Sequence, residues 1–118
     1  MCEEDIEKLR EIYELMEFFT FKKDVEKISE LNTKFHETIY KSTKSRYLEH
    51  VLTDYQYFMK NMRYKSLRSP GRLESALEEH KEILESLIEK NVERGKAAII
   101  KHVSNSLKNA EKYNEVNA

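Results

Sequence analysis

The chain has 118 residues, with 21 basic and 22 acidic side chains and a formal net charge of −1. It contains only 2 glycines and 1 proline, which favours one domain of long amphipathic helices and excludes an all-β fold, whose turns need these residues. The near-neutral charge gives no basic field for a phosphate backbone, so we expect no nucleic-acid binding by this domain alone.

Apolar residues that recur at intervals of three and four positions predict about five helices. The first runs from about Glu4 to Phe19. Asp24 is a suitable N-cap for the second helix. The third begins near Ser45 and extends as far as Met62.

The strongest break in the pattern is Ser69-Pro70-Gly71, and Pro70 suits the first turn of a fourth helix that continues to Leu87. Asn91 is expected to cap a fifth helix. The predicted inward residues of that helix are Ile99, Ile100, Val103, Leu107 and Ala110. Because the connections are short, sequential helices should be antiparallel, and the predicted fold is an all-α antiparallel helical bundle.

Several polar residues lie on the apolar stripes of these helices when successive residues are rotated by about 100°. His80 lies at the centre of the fourth stripe, and Asn32 and His36 both point inward from the second helix. His102 borders the stripe of the last helix. Glu79 turns away from the direction of His80 by about 100°.

Buried imidazoles must find partners, because an unpaired polar group costs about 1–3 kcal/mol. Histidines on three helices, with an oxygen ligand one turn before the first of them, could surround a divalent ion such as Zn, Ni, Cu or Fe. In the alternative interpretation, each histidine bonds separately to a carbonyl, to Glu79 or to Tyr40. Spacing alone leaves both interpretations open, and His50 is expected to be peripheral.

These residues resemble the FCD domain, the C-terminal effector-binding domain of the FadR subfamily of GntR-type transcription regulators. The resemblance covers roughly Glu4 to Ala110, and successive histidines of the pattern lie 44 and then 22 positions apart. The segments that carry it are Asn32 to Tyr40, Arg63 with Leu67, Gly71 to Leu73, Glu79 to Ile83, and His102-Val103.

The resemblance implies an antiparallel bundle that binds a small organic acid, often through a metal held by one aspartate and three histidines. The matching positions here are His36, His80, His102 and, in place of the aspartate, Asn32. The expected cofactor is therefore a divalent transition metal, Zn or Ni. Its binding is weakened because a neutral amide oxygen is a poorer ligand than a carboxylate.

The family's regulators also carry an N-terminal winged helix-turn-helix domain and usually one more helix at the start of the effector domain. Neither is found in this sequence. We therefore expect residues 1–118 to be a single effector-binding domain, either a part of a longer regulator or a stand-alone sensor. Its expected partners are a small carboxylate metabolite and a second copy in a homodimer, with DNA contacted only through another domain.

Arg63 is the first candidate to neutralise the ligand carboxylate, because a guanidinium pairs with carboxylates through two hydrogen bonds and Arg63 lies at the edge of the inward stripe. Arg72 is the second candidate. Tyr40 and Tyr55 are candidate hydroxyl contacts, although aromatic residues at helical spacing are often ordinary core residues. Each arginine has the alternative of being a solvated surface residue.

The main alternative function is a small metal-dependent enzyme with a three-histidine site in the bundle. We predict no catalytic residues and no enzyme activity, because no second carboxylate is expected near the centre of the stripes to act as a general base. A bundle that serves only protein–protein contact is a further alternative, which would leave the inward histidines unexplained.

The sequence also indicates where in the cell the protein is located. A single cysteine, Cys2, cannot close an internal disulfide, as is typical of cytoplasmic proteins. No apolar run approaches the roughly 18 residues of a membrane span, and the acidic N-terminal residues do not resemble a signal peptide. We expect a cytoplasmic protein without membrane contact.

Overall fold

A computed structural model describes residues 2–42, 44–58 and 60–117, and within these ranges all regular structure is helical. The helices are α1 (Glu3–Phe21), α2 (Val25–Ser42), α3 (Arg46–Phe58), α4 (Lys60–Leu67), α5 (Arg72–Ile88) and α6 (Val92–Asn117). Within the helices, the description does not extend to the side chains of Leu48, Leu52, Tyr55, Phe58, Asn61, Arg63, Ala110 and residues 112–117. The predicted all-α bundle is confirmed.

Local hydrogen bonds explain where two of the helices begin. Asp24 Oδ1 accepts a hydrogen bond from the backbone N–H of Lys27 at 3.1 Å, and Asn91 Oδ1 accepts one from Arg94 N–H at 3.0 Å. Both predicted caps are confirmed, since these side chains satisfy backbone donors that the first turn leaves unpaired. The predicted third helix corresponds to α3 and α4, and residue 59 between them lies outside the described residues.

Helix α5 begins two residues after Pro70, at Arg72, and not at Pro70 as predicted. Pro70 lies in the turn that precedes the helix, rather than in its first turn. Gly71 is the N-cap, with a φ of 75° in the left-handed region that glycine adopts without a steric penalty.

The bundle has an apolar layer and a polar layer. The polar layer consists of buried polar side chains, which include Asn32, His36, Arg72, Glu79, His80 and His102. Helix α1 packs against α2 and α5, and α6 packs against α4 and α5. The apolar layer lies mainly between α1, α2 and α5, and its buried members on those helices are Leu9, Ile12, Met16, Ile28, Leu31, Phe35, Leu73, Ala76, Ile83 and Leu84. Of the described part of α6, only Ala98 belongs to this buried cluster.

The prediction for the inward face of the last helix was wrong at three of its five residues; of the other two, Leu107 is half-buried and the side chain of Ala110 lies outside the described residues. Ile99, Ile100 and Val103 are 38%, 69% and 39% exposed, whereas Ala98 and His102 are buried. The prediction assumed that large apolar side chains mark the inward face. In α6 the inward face is small and polar because it borders the polar layer.

Close packing of α5 and α6 holds this face in place. A Cβ atom on Gly95 would lie 3.2 Å from Ser86 Oγ, so the glycine permits a short distance between the two helices. Arg94 in the first turn of α6 also pairs with Glu82, Glu85 and Glu89 of the preceding helix and turn. These contacts fix the position from which His102 enters the bundle.

No helix in the described ranges combines the length and the apolar character that crossing a bilayer requires.

The apolar layer should dominate the stability of the bundle. Leu9 is fully buried, and Leu9→Ala should lower the free energy of unfolding by about 2–5 kcal/mol, because it leaves a cavity in the core. The same substitution at Leu15, which is on the same helix and 48% exposed, should cost less than about 1 kcal/mol. Urea denaturation followed by circular dichroism measures both, and equal losses would contradict this account of the core.

Candidate metal centre

Three histidines from three helices meet in the polar layer. His36 comes from α2, His80 from α5 and His102 from α6, and they are 9%, 3% and 4% exposed. One ring nitrogen of each lies within 4.8 Å of those of the others. The Nε2 atoms of His36 and His102 are 3.3 Å apart, and the ring centroids of His80 and His102 are 4.4 Å apart.

The backbone determines which nitrogen of His80 faces the cluster. Its Nδ1 lies 2.7 Å from the carbonyl oxygen of Ala76, which can only accept, so Nδ1 carries the hydrogen. Burial, followed by the nearby charge of His102, lowers the pKa of His80 well below 6.5. The ring is therefore neutral near pH 7, and its Nε2 has a free lone pair. The ring of Phe35, edge to face at a centroid distance of 5.0 Å, packs against it.

Asn32 is the oxygen ligand expected one turn before His36, and it lies at the cluster. Its Oδ1 atom is 2.5 Å from Nε2 of His80. An amide oxygen and an imidazole lone pair are both hydrogen-bond acceptors, so they do not attract each other directly. Either a cation lies between the two atoms, or the amide is rotated so that its NH2 group donates to the ring.

His102 is oriented by a carboxylate. Its Nδ1 donates to Oε1 of Glu79 at 2.7 Å, which directs Nε2 towards His36. Histidines that bind metals commonly donate their second nitrogen to a carboxylate or a backbone carbonyl in this way. His80 and His102 have one such partner each.

Glu79 is more central than the sequence indicated. It was expected to turn away from the stripe, but it is 8% exposed and points towards α6, where Asn105 Nδ2 donates to its Oε2 at 2.8 Å. Burial alone would raise its pKa, but hydrogen bonds from His102, Arg72 and Asn105 outweigh that effect and lower the pKa to about 2. Glu79 is therefore an ionised carboxylate with both oxygens engaged.

Arg72 is the partner of Glu79. Its Nη1 and Nη2 atoms donate to the two carboxylate oxygens at 2.6 and 2.8 Å. The other donors bond to the hydroxyl groups of Ser66, Ser75 and Ser106 at 3.3, 3.0 and 2.9 Å. A guanidinium has five N–H donors, and here all of them are used. Arg72, predicted as the second ligand-binding arginine, thus has no donor left for an additional carboxylate in this arrangement.

Of the remaining residues that the sequence analysis singled out, only some have side chains that the structure describes. The ring of Tyr40 lies beside that of His36, with centroids 6.2 Å apart and an angle of 33° between the planes. The side chains of Tyr55 and Arg63 lie outside the described residues. His50, expected to be peripheral, is on the surface and pairs with Asp54 at 3.4 Å.

The donor set fits a divalent transition metal. Nitrogen ligands at 2.0–2.1 Å from a tetrahedral ion are about 3.4 Å apart, close to the 3.3 Å between the Nε2 atoms of His36 and His102. The ligand atoms of all three histidines lie within 4.8 Å of one another, so any pair wider than about 3.4 Å would have to close by at most about 1.4 Å. A cavity of about 10 Å³ beside the cluster, lined by Asn32, Arg72, His80 and His102 among others, has room for roughly one water-sized particle.

A family model described as FCD domain matches residues 1–105. The chain belongs to the FCD domain family. The match includes Asn32 and the three clustered histidines, and it confirms the resemblance on which the sequence analysis rested. Comparisons of this FCD domain with curated proteins and with solved structures gave no match.

The Glu79 carboxylate should stabilise the FCD domain in a pH-dependent way. In metal-free protein at pH 7, Glu79→Gln should lower the free energy of unfolding by about 3–5 kcal/mol, because it leaves Arg72 buried without its counter-ion. The pKa of Glu79 is lowered from 4.5 to about 2. Its contribution is thus complete above about pH 4.5 and is lost as the pH falls towards 2.

Urea unfolding at pH 7 and pH 3 measures this effect, and the difference between wild type and Glu79→Gln should narrow at pH 3. The control is Glu78→Gln, which makes the same change at the exposed neighbouring position and should alter stability by less than about 0.5 kcal/mol. An equal difference at both pH values would contradict the assignment.

Proposed function

We propose that residues 1–118 form the ligand-sensing effector domain of a GntR/FadR-type transcription regulator, which binds a small carboxylate metabolite at a divalent metal ion. His36, His80 and His102 would hold the ion, with Asn32 as a weaker fourth ligand. The observation that carries the proposal is the convergence of the three buried imidazoles, two of which have their outer nitrogens bonded to Ala76 and Glu79.

When bound, the metal would supply a Lewis-acidic centre for a carboxylate oxygen. The protein residues have separate tasks. Ala76 and Glu79 orient two imidazoles, and Arg72 keeps Glu79 ionised and in place. Arg63 is proposed to pair with the ligand carboxylate, with Tyr40 and Tyr55 as hydroxyl contacts.

The size of the cavity links ligand binding to helix movement. A volume of about 10 Å³ admits one small particle but not a C3 to C6 acid, so helices around the cluster must separate when such a ligand enters. Arg72 connects the cluster to Ser66 at the end of α4 and to Ser106 of α6. A ligand would thereby favour a second packing of the bundle, which a DNA-binding domain elsewhere in a regulator would detect.

The arrangement gives little support to the alternative of a metal-dependent enzyme. An enzyme of this kind would need a general base, and among the described residues Glu79 is the carboxylate that bonds to a clustered histidine. Both of its oxygens accept hydrogen bonds, and a pKa of about 2 makes it a weak base at neutral pH. A positioning role fits this geometry better than proton transfer.

The proposed regulator is cytoplasmic and homodimeric. The outward residues Ile99, Ile100 and Val103 support a dimer, because they form an exposed apolar stripe on α6. DNA binding would belong to another domain, consistent with a net charge of −1 for this one.

The metal proposal can be tested by elemental analysis after purification and supplementation with Zn or Ni. The wild type should retain about one ion per chain, and His80→Ala should lose it because one of its ligands is removed. His50→Ala is the matched control, since His50 has a side chain that is 79% exposed and it should keep the metal. Circular dichroism verifies that each variant folds. Absence of metal from the supplemented wild type, or equal metal in all proteins, would refute the site.

Ligand sensing can be tested by thermal shift with C3 to C6 hydroxy-, keto- and dicarboxylic acids on the metal-loaded protein. A ligand that binds only the folded state raises the Tm by mass action. At least one of these acids should do so, whereas the corresponding amides and the His80→Ala variant should not respond. A uniform lack of response would contradict the effector role.

A further inference from the structure

Among the described residues, the groups that face the centre of the histidine cluster include no carboxylate without a counter-ion. Three imidazole nitrogens and the amide oxygen of Asn32 are its inward ligand atoms. Glu79 is the one carboxylate bonded to the cluster among the described residues, and Arg72 neutralises it through two hydrogen bonds. The described part of the site thus offers good ligand atoms for a divalent cation but no uncompensated negative charge to balance it.

Glu79 cannot supply the missing negative charge by turning towards the centre of the cluster. Its two oxygens accept hydrogen bonds from His102, from Arg72 and from Asn105. A rotation would break these bonds and leave the guanidinium of Arg72, which is 2% exposed, buried without its partner. The outer network that orients His102 therefore also keeps the available carboxylate out of the coordination sphere.

An uncompensated double charge in a buried site is costly. We propose that the metal ion and the carboxylate ligand bind to this site as a linked pair, with the ligand providing the negative charge that Asn32 does not provide. This inference rests on the proposed function. A ligand with two carboxylates brings two negative charges to the divalent ion and one with a single carboxylate brings one. Because Arg63, proposed to pair with the ligand, adds a further positive charge, the site favours dianions.

Linked binding has a measurable consequence, because the factor by which the ligand raises metal affinity equals the factor by which the metal raises ligand affinity. Couplings of this kind are typically about 5- to 150-fold. We expect about a tenfold or larger increase in metal affinity with a small dicarboxylate. The increase should be smaller with a monocarboxylate and absent with a neutral amide.

The experiment measures Co²⁺ binding by the absorption of the bound ion, with free Co²⁺ held constant by a metal buffer. The added probes are malonate, acetate and malonamide, which carry two, one and no negative charges. Wild-type affinity for Co²⁺ should increase in the order malonamide, acetate, malonate. The reciprocal measurement, malonate binding with and without Co²⁺, should give the same factor.

Asn32→Asp tests the origin of the effect, since it places a carboxylate where the amide lies. This variant should bind Co²⁺ at least tenfold more tightly without any added anion, and the enhancement by malonate should shrink several-fold. Asn91→Asp is the matched control, because it adds the same charge at an exposed N-cap that aspartate also suits. It should behave as the wild type does.

The possible failures are distinguishable. If neither the wild type nor Asn32→Asp binds Co²⁺ with any probe, the metal centre itself is refuted, and the proposed function with it. If the wild type binds Co²⁺ equally with malonate and malonamide, the metal centre stands and the linkage is overturned. Should Asn32→Asp fail to fold by circular dichroism, the order of the three probes on the wild type still decides between these outcomes.

Discussion

The buried ion pair between Arg72 and Glu79 is the interaction on which the polar half of this bundle depends. Removing one member of such a pair costs about 3–5 kcal/mol, because the other is left charged away from water. Here the pair also connects elements: Arg72 reaches Ser66 of α4 and Ser106 of α6, while Glu79 holds His102. The geometry of the histidine cluster therefore depends on an ion pair whose two members are not among the three clustered histidines.

This dependence explains why the two layers of the bundle differ. Helices α1, α2 and α5 supply the large apolar residues whose burial offsets the loss of chain entropy on folding. Truncating one of these side chains destabilises the fold mainly because it leaves a cavity. Helix α6 contributes small and polar residues to the interior, so its position depends on close contact at Gly95 and on hydrogen bonds. A polar layer has discrete bonding arrangements and can change between them, which suits a sensor better than a uniformly apolar core.

The sequence predicted the helices, the caps at Asp24 and Asn91 and the inward direction of His36 and His80, because these depend on local chemistry and on a helical period of 3.6 residues. It named Glu79 as a possible partner of a single histidine, but it did not predict that Glu79 is buried and joins His102 to Arg72. A helical projection gives the direction in which a side chain leaves the backbone, but a glutamate can reach a neighbouring helix that the projection ignores. The inward face of α6 was misassigned for a related reason: Ile99 and Val103 were placed inside on hydrophobicity alone, although the polar partners on α5 determine which face fits.

The groups that orient the histidines of this site do not supply negative charge to its centre. This limits how tightly the site can bind a cation alone. The hydrogen bonds that direct Nε2 of His80 and of His102 inward are accepted by a backbone carbonyl and by a carboxylate paired with Arg72, so they add no uncompensated negative charge at the centre. A cation that enters finds suitable atoms but an unfavourable electrostatic balance, and an anion that enters finds no free donor on Arg72. Under the proposed linkage, each would improve the site for the other, so the occupancy of the site would depend on the concentrations of both the metal and the anion.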